Sequence, residues 1–165
     1  MKKSKTKYHE RSDKEKLEAQ WTKTIGLYSR GDWSASIVRA ATATEIAANI
    51  AIREQYRVLG LSDKDTVDGL LKWANGLIGK LNGLLIPGLK DTKLKQEIRS
   101  SMKKIESLNT QRNAIVHMGE FCNQTEAEEK ISIAGEFIYA ILAKFLPDFK
   151  IDTKIKKSKP KNTSA

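Results

Sequence analysis

At 165 residues, 39% hydrophobic and 30% charged, the chain has material for one core and too little length for two. No window approaches the roughly 18 apolar residues a membrane-spanning helix needs, and the opening MKKSKTKYHERSDKEK lacks the apolar run of a signal peptide, so a cytoplasmic protein without membrane contact is expected. The net charge of +10 sits mostly at the ends: residues 1–16 hold seven Lys or Arg against three acids, and residues 148–165 hold six against two.

These charge runs divide the chain into a basic N-terminal tail (1–12), a single helical domain (13–147) and a basic, disordered C-terminal tail (148–165). A single cysteine, Cys122, leaves no internal disulfide, and with two histidines in all there is no ligand set for structural zinc.

In chain order, the first helix is predicted from Asp13 to Arg30, with Leu17, Trp21, Ile25 and Tyr28 at helical spacing and Gly31 as its stop. Asp32 is the predicted N-cap of a long second helix, WSASIVRAATATEIAANIAIREQYRVL, which ends at Gly60. It is alanine-rich and apolar around much of its circumference, as suits the centre of a bundle. Glu45 is its anomaly. A carboxylate among Ile46, Ala47, Ala48 and Ile50 needs a partner, and Arg39 or Arg53 lies within reach along the helix.

A third helix is expected from LSDKDTVDGLLKW, capped by Ser62 with Asp65 three residues on, and its glycines at 69, 76, 79 and 83 should bend or fray it. IPGLKDT reads as a connection. From about Asp91 a fourth helix runs through Leu94, Ile98, Met102, Ile105 and Leu108 to Gly119, and Thr125 with Glu128 forms a T-x-x-E box for a fifth. That last helix carries one apolar stripe through Ile131, Ile138 and Leu142 and a second through Ile133, Phe137 and Ala140. The second stripe is either more core or a face for a partner subunit.

The chemistry-bearing stretch is RNAIVH, Arg112 to His117, at the end of the fourth helix. Asn109, Asn113 and His117 recur every four residues and share a face, whereas Arg112 and His117 are about 140° apart around the axis. Across a symmetric dimer such a helix faces its copy and presents two Arg and two His in one cleft. Arginine offers a planar fork of donors for a phosphate, histidine shuttles protons near neutral pH, and asparagine orients either. No carboxylate cluster suggests a two-metal site, so phosphoryl chemistry here should need no metal or other cofactor, with the 2′-hydroxyl of RNA as nucleophile. The plainer alternatives stay open: Arg112 paired with Glu106 or Glu120, Asn113 as a structural or capping residue, and His117 satisfied by a neighbouring carbonyl.

RNAIVH resembles the signature of HEPN proteins, an Arg followed by a polar residue and a His four to six positions after the Arg. The resemblance spans roughly residues 20–146, with GDWSASIVRAATATEIAANI and its acid Glu45 similar to the family's early core helix. It implies an all-α, four- to five-helix up-and-down bundle forming a symmetric homodimer, with Arg112, His117 and Asn113 as catalytic residues and Glu45 supporting Arg112. The implied activity is a metal-independent endoribonuclease leaving 2′,3′-cyclic phosphate or 3′-phosphate and 5′-hydroxyl ends, acting as a toxin or in phage defence. Its partners would be RNA and a cognate antitoxin or nucleotidyltransferase protein. Lysines of the C-terminal end, Lys154, Lys156 and Lys157 among them, would add sequence-independent RNA affinity. The alternative is a non-catalytic module of the same shape that binds RNA or a partner protein.

Overall fold

A computed structural model describes residues 6–61, 63–152 and 155. Ser62, the predicted cap, and Lys154, Lys156 and Lys157, the predicted RNA contacts, lie outside these residues, as does most of the expected disordered tail. Among the described residues all regular structure is helical: α1 (Asp13–Arg30), α2 (Trp33–Val58), α3 (Lys64–Trp73), α4 (Gly76–Lys80), α5 (Ile86–Gly88), α6 (Thr92–Met118) and α7 (Gln124–Phe145). No helix is long and apolar enough to cross a membrane.

Local chemistry sets the long helices. Ser12 and Glu15 close a reciprocal capping box at the start of α1, and Gly31, at φ 86°, takes the left-handed conformation that ends it. Asp32 occupies the N-cap of α2 without a side-chain cap bond; its carboxylate instead lies 3.5 Å from Arg30 Nε. The two-residue turn makes α1 and α2 antiparallel neighbours. Ala40, Ala43, Ala47, Ala48 and Ala51 of α2 are all fully buried, and α2 packs against α1, α6 and α7 at once. Small side chains permit this close approach on several sides.

The glycine-bearing segment breaks into pieces. α3 starts at the Asp63 cap, whose carboxylate accepts from the Thr66 amide. After the interruption at Ala74–Asn75, α4 leads through a π-helical turn (Leu81–Leu85) into the single turn of α5. Part of IPGLKDT is therefore helical. The apolar sequence holds this irregular segment down: Leu77, Leu81, Leu84, Leu85 and Ile86 are buried, and Gln55 of α2 donates to the Leu84 and Leu85 carbonyls exposed by the wide turn.

Two further expectations are corrected and one open alternative is decided. α7 opens with a capping box of Asn123 and Glu126, not Thr125 and Glu128, because the helix begins two residues earlier and an Asn side chain reaches the N3 amide. Of the two alternatives for the second stripe of α7, core holds for Ile133 and Phe137, which are buried, while Ala140 is half-exposed. Residues 148–152 are not a free tail: Phe149 and Ile151 pack against the core, as does Ile155, and Trp21 Nε1 donates to the Asp152 carbonyl at 2.8 Å. Charged residues alternate through that segment, but the apolar side chains between them still find the groove beside α1.

Candidate functional site

α6 is about 40 Å long at 1.5 Å per residue, and its two ends lie in different surroundings. At the N-terminus Asp91 caps the helix through the Leu94 amide and takes an ion pair from Lys144 at 2.7 Å. Both interactions hold the Asp91 carboxyl below its usual range, the Lys144 bond most. A cleft of about 410 Å³ opens there, lined among others by Gln55, Leu59, Leu89, Asp91 and Phe145.

RNAIVH occupies the other end. Gly119, at φ 69°, terminates α6, and the loop beyond it is tied down from three directions. Gln111 Nε2 donates to Cys122 Sγ at 3.1 Å and Glu120 Oε2 at 3.3 Å, the Glu120 amide donates to the Ala114 carbonyl, and the Cys122 amide donates to Ser34 Oγ in the first turn of α2. Nearby, at the junction of α1 and α7, buried Tyr28 donates to Glu128, while Gln124 donates to both. Burial, and then that bond to Glu128, raise the Tyr28 hydroxyl above its normal range. The end of α6 is thus mounted on a well-connected platform.

Arg112 and Asn113 meet directly: Arg112 Nη1 donates to Asn113 Oδ1 at 2.9 Å. This orients the guanidinium and occupies one of its donors. Among the described residues Arg112 forms no ion pair with Glu106 or Glu120. His117 is exposed in the last turn and is not joined to Arg112 within the protomer. The five-residue spacing turns the two side chains about 140° apart.

Glu45 does not belong to this group. Its carboxylate accepts from Lys80 Nζ at 2.6 Å, across from α2 to α4, and no hydrogen bond or ion pair links it to Arg112, Arg39 or Arg53. Lys80 is only 7% exposed, and an ammonium so removed from water requires a counter-charge. Arg53 is engaged elsewhere, with Asp13 and Asp68.

A feature absent from the sequence expectations surrounds His117. Val116 is 47% exposed, Met118 71% and Phe121 95%. Val116 follows Ile105 by eleven residues, which brings it back to within about 20° of the same direction, and Arg112 follows Ile105 by seven, again within about 20°. Ile105 is fully buried. The direction that faces the core at Ile105 is therefore more open at the end of α6, where it carries half-buried Arg112 and exposed Val116. Phe121 beside Gly119 and Glu120 in an otherwise polar loop was the sequence signal for this patch. Among the described residues no group of three or more His, Cys, Asp or Glu is arranged to hold a metal ion. No family model, curated protein or solved structure matches the chain.

Proposed function

We propose that the protein is a metal-independent endoribonuclease of the HEPN type, acting as a homodimer in which the α6 ends of two protomers form one site. The observation that carries the reading is the more open end of α6, with half-buried Arg112 and exposed Val116 in the Ile105 direction and His117 on its flank. Exposed Val116, with Met118 and Phe121 next to it in the sequence, favours burial against a second copy, and a two-fold contact places each Arg112 near the partner's motif. The 140° divergence within one protomer then ceases to be an obstacle.

In this reading the Arg112 guanidiniums hold the scissile phosphate, leaving donors for the charge that builds on the equatorial oxygens. As the RNA 2′-hydroxyl attacks the adjacent phosphorus, its proton passes to His117 of one protomer; His117 of the other protonates the departing 5′-oxygen, and Asn113 keeps Arg112 in register. The products are a 2′,3′-cyclic phosphate and a 5′-hydroxyl. Toxicity or phage defence, controlled by a cognate antitoxin or nucleotidyltransferase protein, is the biological role that this chemistry and the family resemblance support.

The test is RNA cleavage in excess EDTA by the wild type and His117→Ala, with chemical mapping of the new ends. EDTA-resistant cleavage giving cyclic-phosphate ends, reduced by about 100- to 10,000-fold in the variant, is expected. The absence of cleavage over a broad set of RNAs, from a protein that circular dichroism shows to be helical, would overturn the enzyme and leave a binding module whose exposed Met118 and Phe121 serve a partner protein.

A further inference from the structure

We infer that the outer flank of α6 through Lys95, Arg99 and Lys103 is the path by which a single RNA strand reaches His117; this rests on the ribonuclease reading above. The argument begins with charge. The two ends of the chain contribute +8 of the net +10, leaving +2 for residues 17–147, yet α6 alone holds six Lys or Arg against two Glu. The remainder of that segment is therefore net negative, and the central positive charge is concentrated on the helix that carries the motif.

Its placement is directional. His117 follows Arg99 by eighteen residues, five whole turns, so the two side chains leave the helix in the same direction about 27 Å apart. Lys95 and Lys103 lie within about 40° of that direction, on either side. Between them and His117 the same line passes Thr110 and Asn113, two hydrogen-bonding side chains that carry no charge. Arg99 and Lys103 are exposed and Lys95 half-exposed, and among the described residues none of the three makes a side-chain hydrogen bond or ion pair. Glu106 is the only acid of α6 on this line.

Unpaired cations on successive turns recur about every 6 Å, a ladder that tracks a phosphate backbone and reads no bases. The neighbouring α7 offers no such surface. Its charged residues are four Glu against two Lys, and of the Lys, Lys130 is buried against Ser107 and Lys144 is held by Asp91. A strand lying on the Lys95, Arg99 and Lys103 flank thus meets attraction along a line that ends at His117 and repulsion from the acidic surface of α7.

The experiment compares Lys95→Gln/Arg99→Gln/Lys103→Gln with a control that removes the same charge elsewhere, Lys23→Gln/Lys64→Gln/Lys72→Gln, all exposed positions on α1 and α3. Binding of a fluorescein-labelled 20-nucleotide RNA is followed by anisotropy over a salt series in the His117→Ala background. The α6 triple should lower affinity at least tenfold and reduce the slope of log K against log salt by about two, at roughly 0.7 per lost phosphate contact, with little change in the control. With His117 restored, kcat/KM on the 20-mer should fall at least tenfold and cleavage of a dinucleotide should stay unchanged. Equal effects of the two triples, with cleavage intact, would overturn the path while the ribonuclease stands. A selective loss of binding in the α6 triple without any cleavage by the parent would uphold the path and remove the catalytic reading.

Discussion

Ile105 and Val116 leave one helix in nearly the same direction, yet Ile105 is fully buried and Val116 is 47% exposed. The difference is in the neighbours. Along the first five turns of α6, Leu94, Ile98, Ile105 and Leu108 are held between α2, α7 and the broken α4–α5 segment. Beyond Leu108 the covered side turns toward Ala114 and Ile115, and the Ile105 direction carries half-buried Arg112 and exposed Val116. One direction on the helix thus serves folding in its first part and is more open in its second, where the chemistry-bearing side chains stand.

Paired substitutions break this comparison most forcefully. Ile105→Ala should cost about 2–5 kcal/mol of unfolding free energy, from lost transfer energy plus the cavity it leaves. Val116→Ala should leave the stability of the monomer within about 0.5 kcal/mol, as partly exposed positions do, and should instead weaken self-association. Urea unfolding at low protein concentration and sedimentation at high concentration read the two effects separately. If Val116→Ala destabilised the monomer as much as Ile105→Ala, the claim that the end of α6 is open at Val116 would fail.

A smaller effect sharpens the account of how the loop after the motif is held. Asn123→Ala removes the side chain that accepts from the Glu126 amide and should cost about 1 kcal/mol, typical of an N-cap. Thr125→Ala should cost only a few tenths, since Thr125 is exposed and caps nothing. Thermal unfolding of the two variants decides between the observed box and the one the T-x-x-E pattern suggested. A larger loss for Thr125→Ala would reverse the correction.

Much of this fold was legible because its signals are local. Gly31 and Gly119 mark the ends of α1 and α6, and the apolar periodicities between them are long. The partner of Glu45 was not legible: Lys80 is 35 residues away on another helix, and no spacing rule reaches it. The docking of Phe149 and Ile151 was hidden for a similar reason. Charged residues flank each apolar side chain there, while the groove that receives them is built from distant residues. At the candidate site, RNAIVH could be found by residue type and position, but the Arg112–Asn113 bond depends on rotamers and the open face on where a covering segment stops. Both are tertiary facts.

The covered end of α6 also makes a pH prediction that the open end does not share. Asp91 holds its carboxyl below the ordinary value of 3.8 by accepting from Lys144 and from the Leu94 amide. A carboxyl depressed in the folded state binds its proton later there than in the unfolded chain. Its contribution is therefore fully present above the unfolded value and is lost as pH falls through the lower, folded one. Asp91→Asn isolates the charge, because asparagine is an equally good N-cap and retains the bond to Leu94. The wild type should be slightly more stable than Asp91→Asn at neutral pH, and the gap should close as pH falls below about 4. The effect is small because both partners are partly exposed and solvent screens them. Urea midpoints of the two proteins between pH 7 and pH 3 measure it. A gap that stayed constant through the acid range would mean that Asp91 acts through its cap alone and that the Lys144 bond, for all its short length, adds nothing to holding α7 against the start of α6.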